Sequence, residues 1–130
     1  MWCSPLPSCS TDFDGDFSEV TDKYIAEIEK ESKNLPVPFY PNISVGWDNN
    51  VRFNNFMPGV VKNNTPENFK KGLEMAKEYA DKYNDVPLIT INSWNEWTEM
   101  SYLEPDDVYG YGYLEAIRRV FCGHAPTGTP

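Results

Sequence analysis

The 130-residue sequence holds one histidine, His124, and three cysteines, Cys3, Cys9 and Cys122. Three cysteines do not make a disulfide framework, and their spacing fits no metal-site pattern. A Cys3–Cys9 bridge is open, as are three reduced thiols. His124 stands near the tail, away from other chemistry-bearing residues, and is not expected to be catalytic. Basic residues are few: 11 Lys and Arg stand against 20 Asp and Glu, a formal net charge of -9. Such a surface repels phosphate backbones and anionic membranes, so neither nucleic acid nor a lipid surface is an expected partner. No apolar run approaches the roughly 18 residues of a membrane span. The opening MWCSPLPSCS lacks the basic and apolar regions of a signal peptide. Nothing in the sequence fixes a compartment.

What the chain has in quantity is aromatic side chains, at 15%. They concentrate in NSWNEWTE, residues 92–99, where Trp94 and Trp97 bracket Asn95 and Glu96, and Glu99 follows. Residues 1–17 are rich in Ser, Pro and Asp and are expected to be irregular. Asp12-Phe13-Asp14-Gly15-Asp16 resembles the front of a calcium loop. An EF-hand would need Gly where Phe17 stands and Glu where Lys23 stands, so a solvated acidic loop is the better reading.

Val20, Tyr24, Ile25 and Ile28 form one stripe, which predicts a helix from Ser18 to Asn34 that ends before Leu35-Pro36-Val37-Pro38. Residues 40–46 read as a buried strand, with Trp47, Asp48 and Arg52 at or past its carboxyl end. Thr65-Pro66-Glu67 is a helix start, and Phe69, Leu73, Ala76, Ala80 and Tyr83 give that helix one apolar face. Residues 86–92, VPLITIN, read as a parallel strand covered on both faces. A third helix is expected over 113–121. Strands joined through a helix imply a parallel βαβ unit, with chemistry at the strands' carboxyl ends. Both acidic-aromatic clusters fall there.

Indole faces suit the C–H face of a sugar ring. Asn92, Asn95, Asp48 and Arg52 could meet its hydroxyls. Two carboxyls, Glu96 and Glu99, are what cleavage of a glycosidic bond needs: one acts on the leaving oxygen, the other as nucleophile or base. In an extended strand their Cα atoms would be roughly 10 Å apart, and closer in a turn, so the stereochemical outcome stays open. Against the sugar reading, tryptophans often fill cores and glutamates usually face water.

The run INSWNEWTEMSYLEPDDVYGYGYLEA, with PNISVGWDNNVRF and NNTPENF upstream, resembles the C-terminal part of glycoside hydrolase family 99-like proteins. That group includes endo-acting mannosidases and the WbsX-type proteins described as polysaccharide-biosynthesis glycosyltransferases. The resemblance covers residues 18–121 and implies an α/β fold, the (β/α)8 TIM barrel, of which this chain would carry the C-terminal βα units. It matches Glu96 and Glu99 to the two catalytic glutamates of a retaining mechanism, Glu96 as base toward the sugar 2-hydroxyl and Glu99 as general acid and then base. Trp47, Asp48, Arg52, Asn92, Trp94, Asn95, Trp97, Tyr102 and Glu104 would line or support a sugar site; no cofactor or metal is implied. The family pattern has glycine where this chain has Met100.

Such a barrel takes about 250 residues. Residues 18–123 are therefore expected to be the last part of one, between an irregular segment and a tail over 124–130. The rest would come from a longer chain or from partner chains. The implied partner is an oligosaccharide or polysaccharide. Three readings follow: a glycoside hydrolase, a polysaccharide-biosynthesis glycosyltransferase, or a noncatalytic carbohydrate-binding remnant.

Overall fold

A computed structural model describes residues 14–123. The Cys3–Cys9 question, His124 and the first part of the acidic loop lie outside the described residues. The first strand, β1, is Gly15–Asp16. It corrects the expectation of an irregular segment up to residue 17. Asp14 explains why the strand forms: its carboxylate accepts hydrogen bonds from the Gly59 and Val60 N–H groups and pairs with Lys62 at 2.6 Å. These contacts hold β1 parallel to a two-residue strand far along the chain.

Helix α1 spans Phe17–Glu31. Asp16 caps it, accepting from Ser18 N at 2.9 Å. Phe17, Thr21, Ile25 and Ile28 are buried along one face. A 3₁₀ turn, Ser32–Asn34, carries the chain to the prolines. Strand β2 is Asn42–Ser44 and β3, the partner of β1, is Val61–Lys62.

Helix α2 spans Pro66–Tyr83. Thr65 caps it as the sequence predicts, with its hydroxyl accepting from Asn68 N. Phe69, Gly72, Leu73, Ala76, Tyr79 and Ala80 are buried on it, whereas Tyr83, expected on that face, is exposed. At Gly72 a Cβ would come within 3.2 Å of the Thr21 side chain, so glycine lets α1 and α2 approach closely.

Strand β4 is Thr90–Asn92. It pairs parallel with β2, in the register Asn42–Thr90, Ile43–Ile91 and Ser44–Asn92, and α2 is the connection between them. Ile43, Ile89 and Ile91 face the core under α2. The opposite face is polar at its centre, where Asn42 Nδ2 donates to Thr90 Oγ1 at 2.7 Å. Val86 and Leu88 are exposed, which corrects the expectation of a strand covered on both faces. The sheet here is only two strands wide, and Val86 and Leu88 lie before the paired stretch Thr90–Asn92.

Strands β5, Asn95–Glu96, and β6, Ser101–Tyr102, form an antiparallel pair. Helix α3, Gly112–Phe121, packs on α2, with Tyr113 edge-on to Phe69 at 5.6 Å. The core thus centres on Phe69, which α2 presents with no exposure. Phe69→Ala should cost about 3–5 kcal/mol, read as a lowered denaturant midpoint with unchanged slope.

Candidate functional site at the carboxyl ends of the parallel strands

The site is built on a polar knot where β2 and β4 end. Ser101, fully buried, donates from Oγ to the Asn92 carbonyl at 2.8 Å and lies 3.1 Å from Ser44 Oγ. Asn92 Nδ2 returns a bond to Ser101 Oγ at 3.2 Å. Ser93 Oγ donates to the Ser101 carbonyl and accepts from Glu96 N. The Asn92–Ser93 peptide is cis. Together these bonds fasten the β5–β6 hairpin to the strand ends, so Asn92 supports the site from beneath.

Between β5 and β6 runs a 3₁₀ turn, Trp97–Glu99, closed by Met100 at φ 50. This is the left-handed region, where the resemblance has glycine. The hairpin keeps that backbone shape with a side chain on it, at a cost of about 1–2 kcal/mol. Met100→Gly should therefore leave Glu96 and Glu99 in place and raise the melting temperature slightly.

A second loop meets the hairpin from β2. Asp48 N donates to the Glu99 carbonyl at 2.9 Å. The Asp48 carboxylate accepts from Asn50 N at 2.9 Å and Asn50 Nδ2 at 2.7 Å. Asp48 is thus a turn former, and the turn it makes, Asn50–Arg52, delivers Arg52. Trp47 stands half-buried at the loop's base, its carbonyl accepting from Val61 N. At Gly46 a Cβ would lie 2.6 Å from the Met100 carbonyl and 2.4 Å from the Asn64 side chain. Gly46→Ala should push the two loops apart and expose the Asp48 amide to exchange, while the distant core keeps its amide-exchange protection.

Arg52 joins the pieces. Its guanidinium donates to Glu99 Oε1 at 2.8 Å and Glu96 Oε1 at 2.9 Å, and its Nε donates to Thr98 Oγ1 at 2.8 Å. Thr98 in turn donates to Glu96 Oε1 at 2.6 Å. The Thr98 hydrogen bond, and then the Arg52 charge and hydrogen bond, hold the Glu96 carboxyl below the usual glutamate range against some desolvation. The Glu96 side chain is 43% exposed and that of Glu99 17%. The two carboxyls therefore converge on one cation at an open surface. An open depression of about 570 Å³ lies away from them, along charged residues of α2 and α3 such as Lys77 and Arg119, and takes no part in the cluster.

Aromatic residues stand on and next to the same hairpin. The Trp97 ring stacks on Tyr102 at 3.7 Å, and its Nε1 donates to Glu104 Oε2 at 2.6 Å. Tyr102 and Glu104 thus brace an indole that stays 42% exposed. Burial first, and then Asp106, push the Tyr102 hydroxyl up to about 12, so the ring stays neutral. Trp94 is more than half exposed, and Asn95 is exposed beside it. Thr98 joins the cluster without having been singled out in the sequence. Its one signal was its place between two glutamates, where a hydroxyl can donate to either. Nothing in the sequence marked Ser101 or Ser44.

Among known families, that of glycosyltransferase WbsX matches residues 9–117. Two curated proteins from two strains of Xanthomonas campestris pv. campestris, each described as uncharacterized protein WxcX, are 29% identical over 98 residues. That stretch is 72% of this chain and 14% of theirs, so the chain spans a small part of the length of these relatives. No solved structure matches the chain.

Proposed function

Because this chain belongs to the WbsX glycosyltransferase family, we propose that it performs glycosyl transfer on an oligosaccharide or polysaccharide at the cluster of Arg52, Glu96 and Glu99. A carbohydrate-related role comes with the family. The reaction and its residues rest on one observation: two carboxyls and a hydroxyl from the hairpin, and one guanidinium from the β2 loop, meet on a stretch of chain that also carries the exposed indoles of Trp94 and Trp97.

In this reading Trp94 and Trp97 hold the sugar rings. Glu96, kept ionised, faces the positive charge that develops at the anomeric carbon. The bond from that carbon to the leaving oxygen breaks, and the acceptor's hydroxyl oxygen bonds to it. Glu99 gives a proton to the leaving oxygen as that bond breaks and takes the acceptor's proton in return. Arg52 fixes both carboxyls before the sugar arrives, which lowers the cost of ordering them.

Hydrolysis by a retaining two-glutamate route, as in glycoside hydrolase family 99-like proteins, is the second reading. The openness of the cluster to water favours it, since water at the acceptor position turns transfer into cleavage. The proposal extends to the fold: the β2–α2–β4 unit would be an arc of a (β/α)8 barrel. Its parallel pairing and the placing of both clusters at the carboxyl ends support that arc.

The test incubates the protein, within its complete polypeptide, with a panel of nitrophenyl glycosides and oligosaccharide acceptors in heavy-oxygen water. New glycosidic linkages are expected. Heavy oxygen at the anomeric carbon of free sugar would mean hydrolysis instead. Release of neither product would sink both readings.

A further inference from the structure

The loop that delivers Arg52 carries a second feature that the reaction does not use. Its outer side reads Phe53-Asn54-Asn55-Phe56. Phe53 is 50% and Phe56 72% exposed, and the two asparagines between them are exposed as well. No described residue engages either amide. Over residues 49–60 the one charged side chain is Arg52, and it is turned inward to the glutamates.

The loop is nevertheless fixed. Asn50 donates from Nδ2 to the Met57 carbonyl at 3.0 Å and accepts from Met57 N at 2.6 Å. This reciprocal clasp closes the loop at its two ends, and Asp48 holds Asn50 from the other side. Large aromatic rings kept outward on a clasped loop are presented ready-made, and binding to them would order little. Two rings flanking two amides combine the two things a pyranose needs, a flat apolar surface for its C–H face and donors and acceptors for its hydroxyls. A purely apolar contact would leave both amides without partners, at a cost of about 1–3 kcal/mol each.

We propose that Phe53, Asn54, Asn55 and Phe56 form a second glycan platform, which takes the stretch of an uncharged oligosaccharide or polysaccharide running out of the carboxylate cluster. The inference rests on the carbohydrate reading given above. It goes further by setting a minimum length: the preferred ligand spans both the cluster and the platform. An uncharged chain is specified because the neighbouring cluster sets two carboxyls against one guanidinium and the whole chain carries -9.

The test screens the complete protein against an array of neutral polysaccharides, then titrates it with a length ladder cut from the best binder. Phe53→Ala/Phe56→Ala should weaken the long members about tenfold, with aromatic contacts of this kind each worth about 0.5–1.5 kcal/mol. The shortest members should bind as before. Phe53→Trp/Phe56→Trp should hold or improve the long ones. All four side chains are exposed among the described residues, so the melting temperature should stay constant; a clear fall would mean that the rest of the polypeptide covers them and would overturn the platform. If wild type and the alanine variant bind every length equally, the platform is wrong and the carbohydrate reading stands. If the wild type binds no polysaccharide, that reading fails and the platform with it. If the alanine variant changes the sedimentation of the protein and leaves sugar binding alone, the loop is a protein contact and the proposal is overturned.

Discussion

Glu96→Gln should lower the rate of glycosyl transfer by a factor of about 10² to 10⁴, whatever the leaving group of the donor. In the proposed mechanism the ionised carboxylate faces the anomeric carbon whatever leaves, and an amide cannot supply its charge. Glu99→Gln should behave differently. Where the leaving oxygen is basic, as in an unactivated glycoside, a proton must move to it and the loss should be as large. With a nitrophenyl leaving group that requirement falls away, so the loss in the bond-breaking step should be small. Steady-state kinetics on the two donor types, with both variants, separates these roles. Sugar binding should survive both changes, since the indoles at Trp94 and Trp97 do not depend on either charge. Equal, small losses in all four combinations would make the glutamates structural.

The second large effect is expected from the guanidinium. Arg52→Gln removes one charge from between two carboxyls and three hydrogen bonds from the junction of the two loops. In the proposed mechanism Glu96 acts as its carboxylate, so activity should be full above its folded-state pKa and fall as pH drops through it. That pKa lies below the ordinary 4.5, with Thr98 as first cause and Arg52 adding to it. The acid limb of the pH–rate profile should therefore lie below 4.5 in the wild type. It should move upward in Arg52→Gln, and in the same direction in Thr98→Val. The maximal rate should also fall in Arg52→Gln, because the carboxyls lose their shared anchor. Arg52→Lys should not restore both contacts, because a single ammonium lacks the planar fork that reaches Glu96, Glu99 and Thr98 at once. An acid limb that stays fixed in all three variants would separate Arg52 from the chemistry.

Where residues act on their neighbours in sequence, the structure follows what the sequence predicts. Thr65-Pro66-Glu67 starts α2, and the apolar stripe from Phe69 to Ala80 is buried. The parallel pairing of the two central strands follows from the helix between them. Their lengths do not: the ladder narrows to Asn42–Ser44 and Thr90–Asn92, with proline N–H groups missing at Pro38, Pro41 and Pro87 and with Val86 and Leu88 exposed. The β1–β3 pair rests on Asp14 reaching Gly59, Val60 and Lys62, a contact with no local signature. The β5–β6 hairpin was hidden for a similar reason. Its connection, Trp97 to Met100, has none of the Asn-Gly or Asp-Gly chemistry that announces a turn.

The site divides along the same line. Glu96, Glu99 and Arg52 were legible by residue type, and they meet although more than 40 residues of chain separate Arg52 from either glutamate. The roles of Asp48, Asn92, Tyr102 and Glu104 were not legible. Each spends its polar atoms or its ring inward, on Asn50, Ser101, Trp97 and the loop backbone, and composition does not reveal that direction.

The central claim is that the carboxyls gathered by Arg52 are where sugar is handled. Carboxyl-carbon NMR on the protein labelled at glutamate, with Glu96→Gln and Glu99→Gln assigning the two signals, tests it most directly. In the free protein the Glu96 signal should titrate below 4.5. On addition of a bound neutral oligosaccharide, both the Glu96 and Glu99 signals should shift and saturate together with the Trp94 and Trp97 indole N–H signals. If both carboxyl signals stand still at saturating sugar while resonances along Lys77 and Arg119 move, the sugar binds elsewhere and the claim is contradicted.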